Sequence, residues 1–184
     1  MENKIVTANE IKLHTPFRLT LSGPSGSGKT EWIYRFLQHR DEISDKKFDT
    51  ILYSYGEDQP IFNKIRALHP DIIWCEGFCH DTINEKLHKP GSCKLMIVDD
   101  LLSDVRADKL FHMFYIRRSH HWNVSIVFTT QYLHEKGLRL INLNTSHFCL
   151  FKSVRDQLSV RTLALQMFPT TWRKFMEIYT HATR

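Results

Sequence analysis

The sequence predicts an α/β domain of three layers, with a mostly parallel sheet and crossover helices on its faces. Two observations carry this: short apolar runs alternate with longer stretches of helical period, and a glycine-rich loop joins the first run to the first helix. After a lead-in over residues 1–15, residues 17–21 read as a strand, and residues 30–39 as a helix that gathers Trp32, Ile33, Phe36 and Leu37 on one face. Further strands follow at 50–55, 72–75, 94–98, 124–129 and 147–151, each an apolar run too short for a helix. Helical patterns lie between them at 60–68, 81–88, 104–119 and 155–167, and a last one covers 171–180. Only Lys89-Pro90-Gly91-Ser92 punctuates strongly, and it merely introduces the next strand, so residues 1–184 read as a single domain.

A chain of 184 residues is long enough for one real core, and its 42% hydrophobic content leaves no need for disulfides or metals to hold it. Seven Gly and six Pro, with no low-complexity tract, exclude a disordered or fibrous chain. No apolar run approaches the roughly 18 residues that span a bilayer. The start Met1-Glu2-Asn3-Lys4 is no signal peptide, so the expected place of work is inside a cell or a particle, with no membrane partner. Cys75, Cys79 and Cys93, with His80, fit the common zinc spacings poorly; with Cys149 they read as small buried thiols. The formal charge of +5 is unevenly placed. Residues 1–105 carry 13 basic and 16 acidic side chains, net −3, whereas residues 106–184 carry 12 and 4, net +8, which points to different partners for the two parts.

The strongest chemical signal is Gly23-Pro24-Ser25-Gly26-Ser27-Gly28-Lys29-Thr30, a complete G-x-x-x-x-G-K-[ST] string between a strand and a helix. Its glycines let backbone N–H groups wrap phosphate oxygens, Lys29 reaches the terminal phosphates, and the Thr30 hydroxyl ligates Mg²⁺. With Glu31 next in the chain, these residues form the candidate ATP-binding set. Leu95-Met96-Ile97-Val98-Asp99-Asp100 supplies the second element, an apolar strand ending in two carboxylates. Asp99 suits the Mg²⁺ shell, and Asp100 suits polarising an attacking water, which favours hydrolysis over phosphate donation to a held substrate. The strand over 124–129 continues into Thr130-Gln131, placing Gln131 at the sheet edge where parallel sheets bind ligands.

Arg117-Arg118-Ser119-His120-His121 ends a helix, where the macrodipole favours cations with no function required. A hydrolytic motor also needs an arginine near the γ-phosphate of a neighbouring subunit. Arg117 is the candidate for that role in trans, with Arg118, Arg139 and Arg155 as rivals.

To the two phosphate motifs are added Tyr55-Gly56-Glu57-Asp58-Gln59-Pro60, the stretch 117–125, Thr130-Gln131-Tyr132-Leu133, and Arg139 through Leu143-Asn144-Thr145-Ser146-His147 into Leu150-Phe151-Lys152-Ser153-Val154-Arg155-Asp156. With these, the chain resembles the FtsK/HerA-type genome-packaging ATPases of double-stranded DNA viruses, and most closely those of polinton-like and adintovirus-like elements, over about residues 17–169. The resemblance implies a RecA-like P-loop NTPase core of strand order 5-1-4-3-2. It implies a homo-oligomeric ring, pentamer or hexamer, with nucleotide at its interfaces, double-stranded DNA in its lumen and capsid portal or vertex proteins as partners. It places the protein at the site of virion assembly in a host cell or with the virion. Arg117 matches that family's arginine before the fourth core strand. Two features depart from the pattern: Asp100 stands where many members have Glu, and the chain stops at Thr183-Arg184 where relatives continue with another strand segment, as a truncated or divergent short form would.

The expected function is an ATPase motor that packages double-stranded DNA into a capsid, with the net +8 part supplying sequence-independent DNA affinity. Two alternatives stay open. A P-loop kinase acting on a small molecule would want an Arg-rich lid and leaves Asp100 and Gln131 unexplained. A nucleotide-gated DNA-binding or assembly module without hydrolysis differs from the motor only in activity.

Overall fold

A computed structural model describes residues 12–106, 108–135 and 137–184. The start Met1-Glu2-Asn3-Lys4 and most of the lead-in lie outside the described residues; of the remainder, Leu13 is buried and bridges to Ser44. Six strands, β1 (Arg18–Ser22), β2 (Thr50–Tyr55), β3 (Ile73–Glu76), β4 (Lys94–Asp99), β5 (Val124–Thr130) and β6 (His147–Leu150), form one sheet of order β3-β2-β4-β5-β1-β6. Every pairing is parallel. Read from the other edge, β6-β1-β5-β4-β2 is the order 5-1-4-3-2, and β3 adds an outer strand beside β2. This is the α/β, P-loop NTPase-like core that the sequence predicts.

The strand period of two sorts the core into two layers. On one face Leu19 and Leu21 of β1, Ile51 and Tyr53 of β2, Leu95 and Ile97 of β4, and Val127 of β5 pack together. They meet Ile33, Phe36 and Leu37 of α1 (Lys29–Gln38) and Phe62 and Ile65 of α3 (Pro60–Leu68); the short α2 (Arg40–Ile43) follows α1. On the other face Leu52, Met96, Val98, Ile126 and Phe128 meet α4 (His80–Leu87), α5 (Leu102–Arg106), α6 (Lys109–Met113) and α8 (Arg139–Asn144). Each large apolar side chain so enclosed contributes about 1.5–3 kcal/mol. β4 and β5 are buried at every position, as central strands covered on both faces must be. A third, smaller cluster joins α9 (Gln157–Met167) and α10 (Trp172–Ala182) to the β6 edge through Val160, Leu163, Tyr179 and Phe148.

All six predicted strands form, with ends displaced by a residue or so. The helix expected over 104–119 does not run unbroken. Asp108 accepts from the N–H groups of Leu110 (2.8 Å) and Phe111 (3.1 Å), so its side chain starts a new helix at Lys109. That helix passes through a π-helical turn, Phe114–Arg118, into α7 (Ser119–His121), where the Ser119 hydroxyl donates to Tyr115 O. The helices α2 and α8, of 4 and 6 residues, are too brief to show a period in sequence. The thiol reading also needs correction: Cys75 and Cys79, where β3 runs into α4, are joined as a disulfide, while Cys93 is buried and Cys149 half-buried as free thiols.

Two charged side chains are buried in β4, Asp99 at its carboxyl end and Lys94 at the end of the sheet remote from the glycine-rich loop. Its ammonium donates to the carbonyls of Lys89 (2.5 Å), Trp122 (2.7 Å) and Ser92 (3.1 Å), tying two loops to the strand start. Burial lowers its pKa from the ordinary lysine value. Lys94→Ala strands these acceptors, and an unfolding free energy lower by about 2–4 kcal/mol is expected in urea titration.

Candidate functional site

The three signals of the sequence meet at the carboxyl ends of neighbouring strands: the glycine-rich loop after β1, Asp99 and Asp100 at the end of β4, and Gln131 after β5. Open parallel sheets bind ligands there. A cleft of about 350 Å³ is lined by Ser25, Gly26, Gly28, Lys29, Thr30 and Glu31 on one side and by Asp99, Asp100 and Gln131 on the other, with Gln59 and Ile61 closing its flank.

Loop geometry explains the glycines. Gly26 (φ 73°) and Gly28 (φ 95°) adopt the left-handed region, and Gly28 caps α1 without a side chain, so the first N–H groups of that helix point out of its end. A Cβ on Gly23 would stand 2.5 Å from the Phe151 Cβ and 2.8 Å from the Ser27 Oγ. Lys29 folds back over the loop, its ammonium donating to Gly23 O at 2.7 Å and Pro24 O at 3.0 Å. Burial lowers the Lys29 pKa, against the opposing pull of Asp99 and Asp100.

Asp99 is the centre of the polar network. Alternation along β4 turns Leu95, Ile97 and Asp99 toward the α1 side, and the same parity aims Tyr53 of β2 and Thr129 of β5 that way. Asp99 Oδ2 accepts from the Tyr53 hydroxyl at 2.8 Å and the Thr30 hydroxyl at 3.0 Å, and Oδ1 accepts from the Thr129 hydroxyl at 2.9 Å. At 2% exposure its carboxyl pKa is raised by desolvation, with the charge of Asp100 adding to the rise and the three hydroxyls offsetting part of it. Burial, then the Asp99 charge, drives the Tyr53 pKa well above the usual phenol range, so Tyr53 stays a donor.

Asp100 reaches the cleft through an uncommon backbone. Its φ is 55°, its N–H donates to Thr129 Oγ1 at 2.9 Å, and its carbonyl lies where a Cβ on Gly56 would be, 2.5 Å away. The exposed carboxylate accepts from Gln131 Nε2 at 3.4 Å. Asp100 and Gln131 thus face the same space.

The donor set suits a hard divalent cation. The Thr30 hydroxyl and the Asp99 carboxylate are oxygen donors 3.0 Å apart, and among the described residues no basic side chain lies within 4.0 Å of Asp99. Thr30 and Asp99 are therefore the residues that would hold Mg²⁺. The sequence reading missed Tyr53, Thr129, Gln59 and Ile61. The first two carry hydroxyls in buried strands, but so do their neighbours Ser54 and Thr130, so the sequence did not single them out.

Arg117 lies elsewhere. It is exposed on the π-helical turn, two residues before Ser119, whose Oγ accepts from Arg18 Nε at the first residue of β1. That is the end of the sheet where strands begin, opposite the cleft, so Arg117 does not reach its own chain's loop. The Arg118 guanidinium lies 5.4 Å over the Trp122 ring, and Arg139 is exposed at the start of α8. Arg155, with Lys152, flanks the outer side of the loop across a second cleft of about 370 Å³ beside Pro24 to Ser27.

No protein-family model matches the chain, and no curated protein matches it. Among solved structures, the cytoplasmic domain of EssC is similar with a TM-score of 0.48 and 12% identity, over 78% of this chain and 33% of that one. This chain therefore spans about a third of the EssC structure's length. The fold stands on the sheet order and the loop geometry.

A buried carboxylate with a raised pKa binds its proton more tightly folded than unfolded. Its charge therefore weighs against the ligand-free fold as pH rises past the unfolded value, fully so above the raised one. Asp99→Asn is expected to raise the melting temperature of the ligand-free chain at pH 8, by a margin that shrinks as pH falls toward 4, while Mg²⁺ no longer adds to the stability that nucleotide alone confers. Calorimetry at the two pH values reads both effects.

Proposed function

We propose that the chain is a Mg²⁺-dependent ATPase whose hydrolysis drives translocation of double-stranded DNA, in the manner of a genome-packaging motor. The observation that carries the hydrolytic reading is the adjacency of Asp99, bonded to Thr30 of the phosphate loop, and Asp100, beside Gln131 at the cleft mouth. Bound Mg²⁺ would neutralise and polarise the phosphate oxygens. The chain's own residues do the rest. N–H groups of the loop and of the α1 start bind phosphate, and the Lys29 ammonium exchanges its loop carbonyls for terminal phosphate oxygens. Asp100 takes the proton of the attacking water while Gln131 orients that water.

The DNA part of the reading is supported by the resemblance to packaging ATPases and by the charge of residues 106–184. Their exposed Arg173 and Lys174 on α10, with Arg161 and Arg173 drawn over Trp172 at 4.7 and 5.2 Å, present cations to solvent. The position of Arg117, remote from its own cleft, fits a role at the cleft of a neighbouring copy in a ring.

Steady-state ATP hydrolysis with and without linear duplex DNA tests the motor. DNA-stimulated turnover is expected in the wild type, falling by about a hundredfold or more in Lys29→Ala and Asp100→Asn. Nucleotide binding with no turnover in the wild type would overturn it in favour of a non-hydrolysing module. DNA affinity is expected to fall at least about tenfold between 50 and 200 mM salt. Mixing Lys29→Ala with Arg117→Ala subunits should restore part of the activity; no recovery at any ratio removes Arg117 from the trans role.

A further inference from the structure

The Tyr53 hydroxyl is carried into the middle of an apolar layer. Its ring is fully buried, stacked on Trp74 at 4.6 Å and edge-on to Phe62 at 5.3 Å, a position that phenylalanine would fill equally well. A hydroxyl in such a place is costly unless bonded, and its partner is Asp99 Oδ2 at 2.8 Å. The same oxygen accepts from Thr30, so it is gripped from behind by β2 and from the front by α1.

Thr129 does two things with one hydroxyl. It donates its single proton to Asp99 Oδ1 and accepts the N–H of Asp100, both at 2.9 Å. The second bond holds Asp100 in the left-handed region, which a residue with a Cβ otherwise avoids. The first sets the plane of the Asp99 carboxylate. Thr129 is 1% exposed, and Gln131 follows two residues later on the same segment.

We propose that Tyr53 and Thr129 are positioning residues for the two carboxylates: Tyr53 keeps Asp99 turned toward Thr30, and Thr129 couples the direction of Asp99 to the backbone that aims Asp100. The proposal rests on the reading of the cleft as a Mg²⁺-nucleotide hydrolase site. It assigns different consequences to the two residues. Loss of the Tyr53 hydroxyl loosens one oxygen of Asp99 and affects divalent-ion binding first. Loss of the Thr129 hydroxyl frees both carboxylates and so affects ion binding and the chemical step together. The phosphate loop contains neither residue, so binding of nucleotide without a divalent ion is independent of both.

The test compares full-length wild type with Tyr53→Phe, Thr129→Val and Thr129→Ser. Fluorescent N-methylanthraniloyl-ATP is titrated in EDTA, Mn²⁺ affinity for the nucleotide complex is read by electron paramagnetic resonance, and ATP turnover is measured at saturating nucleotide. Affinity in EDTA is expected within about twofold of wild type in all three variants. Mn²⁺ affinity should fall about tenfold or more in Tyr53→Phe and Thr129→Val, and kcat should fall most in Thr129→Val. Thr129→Ser, which keeps the hydroxyl, should recover most of both. Wild-type Mn²⁺ affinity and kcat in folded Tyr53→Phe and Thr129→Val overturn the proposal. Should Tyr53→Phe fail to fold, the contrast between Thr129→Val and Thr129→Ser decides it, equal behaviour of the two counting against. A wild type that shows neither divalent-enhanced nucleotide binding nor turnover removes the hydrolase reading itself and this proposal with it. That outcome is recognisable because the failure precedes any substitution.

Discussion

The arrangement depends on one buried carboxylate. Asp99 stands at the end of a fully enclosed strand and is held by three hydroxyls from three different elements, Tyr53 on β2, Thr129 on β5 and Thr30 on α1. Each bond fixes a neighbour as much as it fixes Asp99. Two of them lock the adjacent strands in register, and the third seats the first turn of α1, hence the whole phosphate loop, against the sheet end. The charge itself is unfavourable there, since desolvation raises its pKa. A proton or a hard cation at that carboxylate would relieve the cost.

Around that centre the chain brings backbone unusually close to backbone or side chain. Gly56 permits the carbonyl of Asp100 to pass where a side chain would be, and Gly23 admits Phe151, the residue that follows the edge strand β6. These two contacts bring the ends of β2, β4, β1 and β6 to one level. The Tyr55-Gly56-Glu57-Asp58-Gln59-Pro60 stretch, which in sequence was only part of a resemblance, acquires physical reasons. Gly56 makes room for the Asp100 turn, Asp58 pairs with Arg66 at 2.9 Å, and Gln59 enters the cleft wall.

The uneven charge has a spatial counterpart. Acidic Asp99 and Asp100 lie at the cleft, whereas the basic part after residue 106 includes the helix ending near Arg117 at the opposite end of the sheet and the α9–α10 pair packed against the β6 edge. No helix of the described residues is long and apolar enough to cross a membrane.

By itself the sequence determined the six strands, the phosphate loop and the order of residues at the β4 end. These are local: a strand shows its period within five residues, and the loop's chemistry is written in eight consecutive ones. Asp99, Asp100 and Gln131 were legible because each directly ends a strand whose end is the binding edge. What only the tertiary structure decided depends on neighbours far along the chain. Tyr53 lies 46 residues from Asp99 and Thr129 lies 30 residues away, so their bonds arise from strand register and face parity rather than from any motif. The break of the 104–119 helix depended on whether Asp108 would cap or continue, and the pairing of Cys75 with Cys79 on how β3 turns into α4. The remoteness of Arg117 from its own loop followed from the direction in which a crossover helix returns to the start of the next strand. Polarity in a strand announces that a partner is needed; only the packed sheet determines which partner it meets.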